Sequence, residues 1–73
     1  MNIQEFNQLN EIEKEEIVWD NGFFISTNHV EDMVYDIYKV AAFYVQISYK
    51  LNDIKDLSIY ASSNLNQLNC IYG

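Results

Sequence analysis

Proline and arginine are absent from this chain, and cysteine occurs once. A single Cys excludes a disulfide within the chain, and together with the single His it cannot complete a four-ligand structural zinc site. The only glycines are Gly22 and the terminal Gly73, too few for a glycine-rich phosphate loop. No apolar run approaches the roughly 18 residues that a transmembrane helix needs. The opening "MNIQEF" lacks the charged-then-apolar order of a signal peptide, so a cytoplasmic protein is expected. Basic residues are also scarce: four Lys stand against eleven carboxylates, for a net charge of −7. That balance argues against nucleic acid and against anionic membrane surfaces as partners, since both are bound by concentrated positive charge. It suits solubility, or a basic protein partner.

What the chain does have is apolar and aromatic. Nearly half of its 73 residues are hydrophobic and six are Tyr, which is too rich for a disordered chain. Residues 1–73 make one small domain. A chain this short buries only about 60% of its unfolded surface, so its core is thin and a partner would add stability.

The motif "NEIE" at 10–13 is a capping box, with Asn10 and Glu13 able to satisfy each other's backbone N–H groups. The "DNG" at 20–22 places Gly22 where a helix ends in the left-handed conformation. A helix over about 11–20 follows, preceded by a separate turn or short helix at 3–8 with a break near Leu9. After Gly22 the period changes to two. Strands are expected at 23–28, 33–40, 43–51 and 54–61, joined by the polar turns "NHVED" and "ND". Ser62 or Ser63 can then cap a C-terminal helix carrying Leu65, Leu68, Ile71 and Tyr72. The expected fold is α+β: an N-terminal helix, a four-stranded antiparallel meander and a C-terminal helix, with both helices on one face of the sheet.

The pairing of the second and third strands depends on the length of their connection. A two-residue loop at Ala41 and Ala42 sets Asp36 opposite Ile47 and Ile37 opposite Gln46, mixing polar with apolar. A three-residue connection sets Ile37 against Ile47, Tyr35 against Tyr49, Asp36 against Ser48, Tyr38 against Gln46 and Val40 against Tyr44. Each of those pairs is of like character, so the odd-length turn is expected. It leaves Tyr38, Val40 and Tyr44, with Gln46 beside them, on an outward, uncovered face, as an interaction surface.

Other residues offer chemistry only in isolation. Glu13, Glu16 and Asp20 share one helix face, but nothing adjacent in sequence adds ligands for a cation. His29 lies in a polar turn beside Glu31 and Asp32, with no Ser or Cys placed as its nucleophile. Cys70 has no cationic neighbour to lower its pKa, and it is expected to be exposed. Trp19, at the helix end, is expected to anchor the core. No catalytic residue, cofactor site or metal site is assigned.

The segments "VWDNGFFI" and "YDIYKVAAFYVQISY", followed by a short C-terminal helix, resemble a group of short uncharacterised bacterial proteins. In that group a helix ending Trp-acid-x-Gly leads into a Tyr-rich antiparallel meander. The chain departs from the pattern at Gln46, where the group carries an acidic residue, and at Ala41 and Ala42. The resemblance implies the architecture and no activity. The expected function is therefore a non-enzymatic one exerted through protein–protein contact, with a homodimer through the uncovered sheet face. An acidic inhibitor or immunity-type protein for a basic partner is the second reading, and a small enzyme or metal binder the last.

Overall fold

The computed structural model of the chain describes residues 1–65 and 68, the side chains of 54–56 excepted. Two helices, α1 (Ile3–Asn7) and α2 (Glu11–Asn21), precede four strands, β1 (Phe23–Val30), β2 (Met33–Val40), β3 (Phe43–Lys50) and β4 (Asp53–Ser62). The strands form one antiparallel sheet in the order β1-β2-β3-β4. The protein is thus an α+β fold built on a meander. Of the C-terminal helix expected after Ser62, only residues 63–65 and 68 are described, with Leu68 buried, and Cys70 lies outside the described residues. No helix among the described residues is long and apolar enough to cross a membrane.

Each helix begins with a capping box. In α2 the Asn10 side chain accepts from the Glu13 N–H at 2.8 Å, and the Glu13 carboxylate accepts from the Asn10 N–H at 3.1 Å. Asn2 and Glu5 repeat the arrangement in α1. These reciprocal bonds satisfy N–H groups that a helix start leaves without partners. They explain why the chain breaks between Asn7 and Asn10 instead of running on as one helix.

The end of α2 differs from the expected left-handed cap. Gly22 has φ −84° and ψ 147°, so the chain passes directly from helix to strand. Glycine is needed there for space: a Cβ would lie 2.5 Å from the carbonyl oxygen of Val18, to which the Gly22 N–H donates at 2.8 Å.

The β2–β3 connection is also a correction. Ala41 and Ala42 form a two-residue loop, and the register pairs Asp36 with Ile47, Ile37 with Gln46 and Tyr38 with Val45. Ala41 takes φ 52°, as Glu31 takes φ 58° in the β1–β2 loop. Positive φ at the first loop residue belongs to the tight turns whose twist matches that of the strands. The expected odd-length turn rested on the premise that one face of the sheet is polar, and that premise fails. Val34, Val40, Phe43, Val45 and Ile47 are buried on one face, while Ile37, Gln46 and Ser62 are buried on the other.

The core lies between the helices and the first of these faces. Phe6 of α1 and Val18 of α2 pack with Val40, Phe43, Val45 and Ile47, and the Phe6 and Phe43 rings meet at 5.3 Å in a tilted contact. Lys14 lies over the outer side of Phe6, its Nζ 5.8 Å from the ring centre. α1 packs nearest β4 and α2 over β2. Phe6 and Val18 thus cover the Val40–Phe43 end of the face.

Candidate functional site

A cleft of about 300 Å³ is lined by Trp19, Asp36, Ile47, Tyr49 and Leu57. The sheet register builds it. Asp36 and Ile47 are cross-strand partners, and Tyr49 lies two residues along the same face from Ile47. Leu57 comes from β4, on the row that continues through Ile59, the partner of Ile47. Trp19 closes the cleft from α2.

Asp36 is half-buried, the one acidic residue of a row that otherwise holds Val34, Tyr38 and Val40. Its Oδ1 accepts from the Thr27 hydroxyl at 2.5 Å, and its Oδ2 from the Tyr49 hydroxyl at 3.3 Å. Both donors hold the carboxylate in place, and an ionised carboxylate has about four acceptor positions, so it retains capacity for a further donor. The Tyr49 phenol is raised above its ordinary pKa by burial and by the neighbouring Asp36 charge. Tyr38 is raised by burial first, then by Asp36 and Tyr49.

Trp19 is 58% exposed and does not anchor the core as expected. It meets Tyr38 edge-on at 5.6 Å, and Phe24 meets the same Tyr38 at 5.6 Å, so three rings form a row from α2 to β1. A lone Trp in the last turn of a helix carries no sequence signal for which way it will face, and the preceding Val18 takes the core position instead.

The four residues expected to share one outward surface are divided. Tyr38 and Val40 stand on the helix-bearing face, where Val40 is buried and Tyr38 half-buried. Tyr44 and Gln46 stand on the opposite face, where Gln46 is buried. The two-residue loop is the cause, because a shift of one residue exchanges the faces of a whole strand. Nor is the opposite face bare at its centre, where Ile37 is fully buried.

Exposed apolar residues gather elsewhere, along β1. Phe23 is 76% exposed, and Phe24, Ile25 and Val30 are exposed too. β1 is an edge strand with no Asp, Glu, Lys, Arg or Pro in "FFISTNHV". A bulge at Ile25, between Phe24 and Ser26, interrupts the pairing with β2, after which Ser26–Val30 pair regularly. Edge strands are ordinarily protected by charge, proline or a bulge, and this one has only the bulge at Ile25. His29 belongs to this strand, not to a turn, and is exposed. Glu13, Glu16 and Asp20 are exposed on α2, and no group of three metal-ligating side chains converges among the described residues. No family model, curated protein or solved structure matches the chain.

Proposed function

We propose that the protein is a non-enzymatic, cytoplasmic interaction protein that associates with a second copy of itself through the β1 edge. The observation that carries this reading is an edge strand without a single formal charge in a chain of net charge −7. Two copies repel one another through their overall charge, and β1 is a stretch along which they can approach without bringing like charges into contact. An antiparallel β1–β1′ pair is self-complementary, as two-fold symmetry requires. Ser26–Val30 supply regular backbone donors and acceptors, while Phe23, Phe24 and Ile25 flank them with apolar surface.

The size is sufficient for a weak dimer. Aromatic side chains bury about 150–250 Å² each. Phe23 and Phe24 from both copies, together with Ile25, Val30 and the strand backbone, approach the roughly 1,000 Å² that a specific interface requires. A domain of this length gains from such cover, since its own burial barely offsets chain entropy. The variant Phe23→Lys/Ile25→Lys places like charges at the edge and leaves the buried core untouched. It should remain folded and sediment as a monomer at concentrations where the parent dimerises. A parent that is monomeric at millimolar concentration would refute self-association.

The second reading, an acidic protein binding a basic partner, draws on the exposed Glu11, Glu13, Glu16 and Asp20 of α2. It requires affinity to fall as salt rises, whereas self-association of two anions requires the reverse.

A further inference from the structure

We propose that the cleft over Asp36 binds a small organic ammonium ion, an amine with an apolar body. Asp36 occupies a position where the pattern of its face calls for an apolar residue, opposite Ile47, and the fold retains a carboxylate there. Breaks in a local pattern concentrate at functional or strained positions. Thr27 and Tyr49 fix the carboxylate by donating one hydrogen bond to each oxygen. Around it stand an indole, a phenol ring and two aliphatic side chains, from Trp19, Tyr49, Ile47 and Leu57. A negative charge set among aromatic and aliphatic walls matches a cation carrying hydrocarbon, through ion pairing and cation–π contact together.

Other ligand classes fit poorly. A metal ion needs several oxygen ligands, and one carboxylate with apolar walls does not supply them. An anion meets both Asp36 and a net charge of −7, which repel it and raise the local concentration of cations. The volume of about 300 Å³ equals roughly ten water molecules at about 30 Å³ each, enough for an arylalkylamine or a lysine side chain. The cleft lining comes from α2, β2, β3 and β4, and β1 contributes only Thr27, which holds Asp36 from outside the lining.

The single tryptophan lines the cleft, so its emission reports occupancy. The native protein is titrated with benzylammonium chloride and, separately, with benzyl alcohol, at constant ionic strength. Benzylammonium should give a saturable change in Trp19 emission, and benzyl alcohol, of nearly the same shape, should bind at least tenfold more weakly. Asp36→Asn should reduce benzylammonium to the level of the alcohol, while Asp53→Asn, an exposed charge outside the cleft, should leave it unchanged. Nα-acetyl-lysine methylamide separates the two sources of such a group. Binding as tight as that of benzylammonium indicates a protein lysine, and binding tenfold weaker indicates a free amine. Equal affinity for benzylammonium and benzyl alcohol, failure of both ammonium probes to saturate, or equal losses in Asp36→Asn and Asp53→Asn would overturn the proposal. The alcohol comparison uses the native chain and stands even if Asp36→Asn fails to fold.

Discussion

Asp36 stands directly across from Ile47, on the face of the sheet that the helices cover. The pair is of unlike character, and it follows from a two-residue loop whose first residue, Ala41, is in the left-handed region. The consequence is a carboxylate on an otherwise apolar face, held by the hydroxyls of Thr27 and Tyr49.

An apolar, β-branched residue at this position should suit the fold better than the acid does. Asp36→Val restores an apolar cross-strand pair with Ile47, worth about 0.2–1 kcal/mol. The Thr27 hydroxyl is exposed and the Tyr49 ring only half-buried, so water can replace the bonds they lose. Urea denaturation should show stability unchanged or raised by roughly 0.5 kcal/mol. A loss above about 1.5 kcal/mol, the lower bound for a hydrogen bond to a charged group, would make Asp36 a structural residue.

Two glycine exchanges should act with opposite signs. Ala41→Gly relieves a left-handed alanine and should stabilise the protein by about 1 kcal/mol. Gly22→Ala drives a Cβ into the Val18 carbonyl and should cost about 1–3 kcal/mol, although φ at Gly22 suits any residue. Thermal melts of the two variants on either side of the parent would agree with both conformations. A neutral Gly22→Ala would contradict the close approach.

Ile37 tests whether the second face is closed. It is fully buried, so Ile37→Ala should cost about 2–5 kcal/mol. A cost under about 1 kcal/mol, as for a surface position, would mean that this face is open to water.

Alkaline pH should weaken the fold through Tyr38 and Tyr49. Both phenols are raised above the ordinary value of 10.0, by burial first and by Asp36 next. The unfolded chain therefore loses these protons at lower pH than the folded one, and the folded state binds more protons in that window. Stability contributed by the neutral phenols is complete below pH 10 and declines as pH rises through their folded pKa values. Tyr49→Phe should make the alkaline decline of the melting temperature shallower. An identical decline in Tyr38→Phe, Tyr49→Phe and the parent would remove these two groups as its cause.

Much of the architecture was legible in the residues, and the failures share a cause. The capping box of Asn10 and Glu13 and the change of period after Gly22 located α2 and the start of the sheet, because both signals are local. Strands β2 and β3 begin where their apolar alternation begins. The register was not legible. Nothing in "VAAF" marks a tight turn, since alanine is an uncommon choice for positive φ. The rule that like faces like presumes a sheet with one wet face, and Ile37, Gln46 and Ser62 are buried on the face assumed to be wet. Once the register moved by one, Tyr38 and Val40 changed sides, and the expected contact surface went with them. The β1 edge and the Asp36 cleft depend on which strand lies at the margin and on how far two short helices reach. Neither property is written in any one segment.

Self-association through β1 is tested most directly by sedimentation equilibrium over a wide range of protein concentration, at about 20 mM and about 500 mM sodium chloride. At the higher salt the Debye length falls from roughly 20 Å to roughly 4 Å and the repulsion between two −7 copies is largely screened. The account predicts a monomer–dimer equilibrium whose dissociation constant decreases at high salt, and whose dimer is absent in Phe23→Lys/Ile25→Lys. A monomer at every concentration and both salts, or a dimer that weakens as salt rises, would contradict it.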